Sequence, residues 1–343
     1  MTNTTRLSDP VQEKLAVFLV RQYPELDEQK ILELGELGEG WETDLLRLKI
    51  EGTRNGEPSP LELVLRLYKG SDPLEKARKE FSLMSGVPGF GVATPRVDAL
   101  VTDLSIFNDP FLIMEHIEGG TLEARIEIDG ISQWLDPMMQ ILARIHNIPW
   151  VGLFPVPEGP LPGLEEPLAF VRGHLHEMDQ VILQYGLTDF EPTLDWLHER
   201  EALGASTTPV LVHNDYHPQN MLLSNGELLI IDWSFAEVSD YRLDLAWSVL
   251  LLNVLVGQSH RPAILEAYER AAGSQIENFE YFEALKFMMR MVTIGTWLDE
   301  AVGIPVAGIT KQSIRGDYKV HVLNPYRRLK EITGLEIRTI EEL

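Results

Sequence analysis

The stretch that decides the reading is LVHNDYHPQNMLLSNGELLIIDW, Leu211–Trp233. At its centre stands Asn225-Gly226, between the apolar runs MLLS and ELLIID. Asn-Gly in that setting is the strongest short-range signal for a two-residue hairpin, because both turn residues take positive φ. With the turn there, Asn220 faces Ile231 and Gln219 faces Asp232. Asn220 and Asp232 are then expected at the same open end of one hairpin. Directly opposite residues lie about 5 Å apart. An amide oxygen and a carboxylate at that separation suit a shared hard cation such as Mg²⁺. Asp215 precedes Asn220 on the loop leading in, where a base for a hydroxyl proton belongs.

Upstream, the chain reads first as strands. Ser8 caps a helix running to about Gln22, with Pro10 in its first turn. Strands are expected at Ile31–Leu37, Thr43–Ile50 and Leu61–Tyr68. In the third, Leu61, Leu63, Leu65 and Leu67 alternate with Glu62, Val64, Arg66 and Tyr68, the period of a half-buried strand. The turn-rich GTRNGEPSP, Gly52–Pro60, joins the second strand to the third. A helix over Pro73–Ser85 and strands at Arg96–Val101 and Pro110–Ile117 complete a small α+β lobe, residues 1–117, ended by a Gly119-Gly120 hinge. Residues 118–343 form a helical lobe, with helices expected near 121–127, 132–147, 165–185, 191–203, 241–257, 260–273, 277–299 and 310–331. A cleft between two such lobes is a favoured place for a ligand.

Composition narrows the classes. With 53 acidic and 29 basic residues the chain carries −24, which argues against a nucleic-acid partner and against docking on anionic lipid. The absence of cysteine excludes disulfides, thiolate metal sites and cysteine nucleophiles. The apolar stretches Leu245–Val256 and Phe287–Leu298 are interrupted by Asn253 and Arg290 and fall short of the roughly 20 residues of a membrane span. They read as core helices. The opening MTNTTRLSDP has no apolar signal core, so a cytoplasmic location is expected.

His213, Asp215, Asn220 and Asp232 stand in the order His-x-Asp, four residues, Asn, then a metal-binding Asp after a hairpin. This resembles the catalytic loop of protein-kinase-like phosphotransferases. HNDYHPQN, IDW and YRLDLAW (Tyr241–Trp247) are similar to the aminoglycoside phosphotransferase and choline kinase family. The resemblance continues through LGEGWETD (Leu37–Asp44), LVLRLYKG (Leu63–Gly70), ARKEFSLM (Ala77–Met84), FLIMEHIEGGTL (Phe111–Leu122) and LARIH (Leu142–His146). It implies an α+β, bilobal protein-kinase-like fold, with a small antiparallel-sheet N-lobe and a larger, mainly helical C-lobe.

The resemblance also implies an activity: transfer of the γ-phosphoryl group of Mg-ATP or Mg-GTP to the hydroxyl of a small molecule. Asp215 would be the catalytic base, and Asn220 and Asp232 the Mg²⁺ ligands. Arg66 would hold the α/β-phosphates, paired with Glu80. Gly38 and Gly40 would belong to the phosphate-covering hairpin, and Glu115–Ile117 would meet the nucleotide base through backbone groups. Arg66 stands where kinases usually have lysine. Lys69 is the rival cation, but strand alternation puts it on the opposite face.

Other residues read as structural. His213 would hold the loop through backbone carbonyls, and Asp244 would anchor it by hydrogen bonds. His174 and His176, two apart on a helix, do not share a face and are not read as a metal site. Acids that a cationic acceptor could meet are Asp179, Glu191, Asp195, Glu199, Asp299 and Glu300; solvated helix faces explain them equally. Two other functions compete. One is a catalytically inactive kinase-like protein that binds nucleotide or ligand, whose mark would be loss of Asp215, Asn220 or Asp232; all three are present. The other is a metal hydrolase using His213, Asp215 and His217, opposed by Pro218 directly after them. Neither a GxxxxGK[ST] loop nor a Gly-x-Ser-x-Gly elbow occurs.

Overall fold

The structure, a computed structural model, describes residues 9–39, 43–153, 165–206, 208–256, 260–299, 302–304 and 309–343. Gly40 and Glu300, singled out above, lie outside the described residues. The chain divides into two compact units. The first comprises Met1–Gly89, Ala93–Gly119 and Leu223–Ser234; the second comprises Phe90–Val92, Gly120–Leu222 and Phe235–Leu343.

The first unit begins with α1 (Asp9–Gln22), β1 (Asp27–Glu39), β2 (Thr43–Arg54), β3 (Glu57–Pro58) and β4 (Leu61–Tyr68). It continues with α2 (Pro73–Gly86), β5 (Val97–Val101) and β6 (Phe111–Glu115). Its antiparallel sheet runs β1-β2-β4-β6-β5, with β3 paired to β2. Asn55 and Gly56, at φ 54° and 83°, turn β2 into β3, as Asn-Gly does in a two-residue hairpin.

β4 departs from the expected half-buried strand. Leu63, Leu65 and Leu67 enter one apolar cluster with Leu15 and Leu19 of α1. The opposite face is buried as well: Val64, Arg66 and Tyr68 are all under 9% exposed, and α2 buries Ala77, Glu80, Leu83 and Met84. A central strand covered on both faces has no solvent side. The polar residues in the alternation mark a charged layer rather than a wet one. Gly119, expected as a hinge, has a steric reason to be glycine. At φ 150° its backbone passes so close to Leu223 that a Cβ would sit 2.4 Å from that carbonyl oxygen.

The second unit begins at β7 (Gly120–Thr121), followed by α3 (Leu122–Asp129), α4 (Leu135–His146), α5 (Ala169–Tyr185) and α6 (Glu191–His198). β8 (Val210–Val212) leads to the hairpin β9 (Met221–Ser224) and β10 (Glu227–Ile230), whose tip and second arm belong to the first unit. β11 (Glu237–Ser239) returns antiparallel to β8, pairing Glu237 with Val212. The chain closes with α7 (Tyr241–Val256), α8 (Arg261–Ala272), α9 (Phe279–Leu298), α10 (Lys311–Arg315), α11 (Lys319–Thr333) and α12 (Arg338–Glu341). The single helix expected over 310–331 is divided after Arg315, where Gly316 leaves helical geometry at φ −114° and ψ −112°.

The centre of this unit is α9, buried along most of its length. Glu283 on that helix is fully buried and is neutralised by Arg261 at 2.5 Å and Arg328 at 3.1 Å. No helix among the described residues is long and apolar enough to cross a membrane.

Candidate active site

In the first unit, β4 and α2 bring Arg66 and Glu80 together. Arg66 Nε lies 3.2 Å from Glu80 Oε2, and its Nη2 donates to Asp232 Oδ1 at 2.6 Å. Glu80 also accepts the Tyr68 hydroxyl at 2.5 Å and the Trp233 backbone N–H at 3.2 Å. Burial pushes the Glu80 carboxyl up, with Arg66 opposing it. Burial alone would lower Arg66, but the charges of Glu80 and Asp232 outweigh it and hold the guanidinium well above its ordinary value. A buried carboxylate is tolerated when its oxygens are bonded and a cation faces it. Lys69, the rival, pairs with Asp44 instead.

Asp232 follows β10 in the left-handed region, at φ 62°. Its Oδ1 is shared by Arg66 and the Ser234 hydroxyl. The hairpin turns at Asn225 (φ 51°) and Gly226 (φ 83°), where the sequence places it. Its arms end at Met221 and Ile230, however. Asn220 lies in a 3₁₀ turn, Pro218–Asn220, outside the ladder. Proline, which cannot donate to a ladder, starts that turn and stops the strand short of Asn220.

In the second unit, the loop after β8 holds Asp215. Asn220 donates Nδ2 to Asp215 Oδ2 at 2.7 Å and to its backbone carbonyl at 2.9 Å. Trp247 Nε1 donates to Oδ1 at 3.3 Å, and His217 Nε2 lies 3.4 Å from Oδ2. Burial would raise the Asp215 carboxyl, but the bond and charge of His217, the charge of His213 and the Trp247 bond outweigh it. The net result lies below the usual carboxylate value. Asp215 is therefore an oriented carboxylate, ionised at neutral pH. Asn220 commits only its nitrogen in these bonds, not its carbonyl Oδ1, the atom a hard cation takes.

Asp244, at the start of α7, anchors this loop as expected. Its oxygens accept the backbone N–H of His213 at 2.7 Å and of Asn214 at 2.8 Å, and His146 Nε2 lies 3.1 Å away. Burial raises this carboxyl, but the bond and charge of His146, the charge of His213 and the His213 N–H outweigh it and hold it low. The two N–H donors come from a sharp bend in which Asn214 takes φ 60°. His213 is fully buried, and its Nδ1 accepts the Asp215 N–H at 3.3 Å.

A cavity of about 330 Å³ opens beside this loop within the second unit. Asn214, Trp247, Glu237, His174, Lys286 and Arg290 are among its walls. Lys286 Nζ stands 5.6 Å from the centroid of the Trp247 ring. Trp247 thus faces the cavity while its N–H holds Asp215. None of Asp179, Glu191, Asp195, Glu199 or Asp299 lines it. Asp179 faces His198, and Glu199 faces Arg200.

A family model described as the phosphotransferase enzyme family matches residues 33–287. The chain belongs to that family. Among solved structures it is similar to a candidate aminoglycoside phosphotransferase from Ralstonia eutropha, at 15% identity and TM-score 0.63, covering 96% of this chain and 98% of that one. It is similar to an aminoglycoside 2″-phosphotransferase solved with GDP and kanamycin, at 16% identity and TM-score 0.57, covering 94% and 99%. A choline/ethanolamine kinase family protein from Mesorhizobium loti matches at 14% identity and TM-score 0.55, covering 90% of each chain. At these identities the likeness shows the fold, which is kinase-like as the sequence implied. No curated protein matches the chain significantly.

For this phosphotransferase the remaining expected residues take these places. Gly38 pairs with Leu45 near the end of β1, just past a register shift. Glu115 ends β6, and its backbone N–H is already bonded to the Arg96 carbonyl. The next amide, of His116, goes to Glu62, and Ile117 lies beyond the strand. Sequence reasoning did not find Tyr68, Trp233, Trp247 or Lys286. Tyr68 stood only in the alternation of its strand, and Trp233 inside the quoted IDW. Trp247 stood inside the quoted YRLDLAW. Lys286 is a lone cation inside the apolar run FEALKFMM, and that interruption was its only signal.

Proposed function

We propose that the chain transfers the γ-phosphoryl group of ATP or GTP, with Mg²⁺, to the hydroxyl of a small molecule. The observation that carries this is the Asp215 clamp. A carboxylate oriented by Asn220 and held ionised by His217, His213 and Trp247, in a chain of this family, suits a base for a substrate hydroxyl. Asp215 takes the proton as the acceptor oxygen bonds to the γ-phosphorus. The bond from that phosphorus to the β-phosphate bridging oxygen breaks. The products are a phosphoester and a nucleoside diphosphate, and Asp215 returns its proton to water.

Asn220 and Asp232 would hold Mg²⁺. Both offer oxygen donors, as a hard cation prefers, and they flank the two arms of one hairpin. When bound, the ion supplies neutralisation of phosphate charge. Arg66, fixed by Glu80, would meet the α/β-phosphates. Gly38 and Gly40 would cover the phosphates, and the backbone at Glu115 and Ile117 would meet the base. Nucleotide complexes among the neighbours, such as the GDP complex above, and the family itself support a nucleotide donor. The test is Mg²⁺-dependent nucleotide turnover over a panel of hydroxyl acceptors, with wild type against Asp215→Ala. Turnover lost in the variant supports the reading. Nucleotide binding without stimulated turnover in either protein makes the chain a binding protein instead.

A further inference from the structure

The cavity beside Asp215 differs in charge from the rest of the protein. The chain carries nearly two acids for every base, so a lysine or arginine has carboxylates to choose from. Of the buried Lys and Arg side chains among the described residues, Arg66 and Arg242 each contact one, with Arg242 2.7 Å from Asp240. Lys286 does not. It is only 9% exposed, and among the described residues no hydrogen-bond acceptor or carboxylate takes its Nζ at bonding distance. Its one close partner is the face of Trp247, which compensates a desolvated ammonium only in part. Asp244, Glu237 and Asp215 attract it from further away. Two of them are spent: Asp244 on His146 and two backbone N–H groups, Asp215 on the clamp.

Arg290, one turn further along α9, lines the same cavity. Its guanidinium bonds the Tyr318 hydroxyl and lies over the Trp297 and Tyr318 rings, with no carboxylate partner among the described residues. The one carboxylate in the wall, Glu237, is exposed and accepts Asn214 Nδ2 at 2.8 Å. The site therefore presents two cations lacking ion-pair partners. A buried unpaired cation costs several kcal/mol, and such groups cluster where a ligand supplies the missing charge.

We propose that this cavity binds the acceptor, and that the acceptor is an alcohol carrying a carboxylate or phosphate group, held by Lys286 and Arg290. The inference rests on the phosphotransferase reading above and names its substrate class. Trp247 sets the spacing. The reacting hydroxyl lies at the Asp215 edge of the indole and the anionic group beyond its face, at Lys286. About 330 Å³ is at the small end of the ligand-pocket range of roughly 300–1,000 Å³, which suits one sugar ring rather than three. The choice runs against a polycationic acceptor, which would meet Lys286 and Arg290 as like charges.

The experiment uses hexoses that differ in charge: glucosamine, glucose, glucuronate and glucose 6-phosphate, with kanamycin as the polycation. Calorimetry reads binding without turnover, and a coupled assay reads nucleotide turnover. The two anionic sugars are expected to bind at least about tenfold more tightly than glucose, a difference of about 1.4 kcal/mol, and glucosamine and kanamycin more weakly. Whichever of the two binds better separates carboxylate from phosphate. Lys286→Met and Arg290→Gln should each erase the preference, and Lys286→Arg should keep it. Equal or tighter binding of the neutral or cationic sugars overturns the proposal. So does a preference that survives both variants, or no binding of either anion. A Lys286 that only props the loop would lower kcat for every sugar alike and leave the order of affinities unchanged. Anion binding without turnover that Asp215→Ala abolishes would leave the cavity assignment standing and overturn the enzyme reading alone.

Discussion

Trp247 donates its indole N–H to Asp215 Oδ1 at 3.3 Å, so one side chain aims the carboxylate and forms a cavity wall. Trp247→Phe keeps an aromatic face for Lys286 and deletes only the donor. A hydrogen bond to a charged group is worth about 1.5–3 kcal/mol, so turnover should fall roughly tenfold to a hundredfold. The lost bond is one of those lowering the Asp215 carboxyl, so the acid limb of the rate should move to higher pH. A pH–rate profile with an unmoved acid limb would show that Trp247 does not act on the base.

Asp244→Asn removes the carboxylate that accepts two successive backbone N–H groups. An amide there presents one oxygen, and its NH₂ faces a donor. Leaving a buried network half-satisfied costs about 3–5 kcal/mol, read as a lowered denaturant midpoint. The Asp244 carboxyl is held below the ordinary carboxylate value. Its contribution to stability is therefore present above that value and lost as pH falls through the lower folded value. The variant should show a flatter acid limb of stability than wild type.

Arg66→Met strips Glu80 of its cation in a fully buried site. Removing one member of a buried pair costs about 3–5 kcal/mol, whereas replacing the pair by neutral groups is far milder. Arg66→Met with Glu80→Gln should therefore recover much of the lost melting temperature. Nucleotide turnover should stay low in both. A double variant no more stable than the single one would show that the pair does not act as a unit.

His174 gives a pH signature. Burial, reinforced by Lys286, pushes its imidazole down from 6.5 to about 4. The folded protein then binds fewer protons than the unfolded chain between those values, so stability rises with pH across that window and falls on acidification. One pKa unit is worth about 1.4 kcal/mol, so the loss approaches about 3 kcal/mol by pH 4. His174→Gln should remove this slope. Urea midpoints at pH 7, 5.5 and 4 in the two proteins check it.

Much of this was legible because it is local in the chain. The Asn225-Gly226 turn requires two positive φ angles, and only a few residue pairs supply them. Asp215 and Asn220 lie on one loop, so their spacing alone predicts contact. The half-buried reading of β4 failed because alternation reports polarity, not exposure. Arg66 was expected beside Glu80, but only the fold shows that Asp232 bonds it too and that the whole face is buried. Lys286 was illegible for a related reason. A lysine in an apolar helix reads as a flaw in a core stretch, and only the fold shows that no carboxylate among the described residues meets it. The acids Asp179, Glu191, Asp195, Glu199 and Asp299 stayed open in sequence, because acids on solvated helix faces are indistinguishable there from acids turned to a pocket.

The Arg66–Asp232 contact closes over 166 residues. Asp232 arrives on Leu223–Ser234, a segment that joins the first unit only after Gly120–Leu222 of the second has been synthesised. At roughly 5–20 residues per second, Arg66 and Glu80 wait on the ribosome for about ten to thirty seconds before their third partner emerges. During that interval the first unit also lacks the Ile230 N–H that will bond the Ala93 carbonyl, ahead of β5, at 2.8 Å. The unit that comes off the ribosome first is thus finished late. A nascent chain stalled before Leu223 should expose Arg66 to proteolysis, and one stalled well beyond Ser234 should protect it.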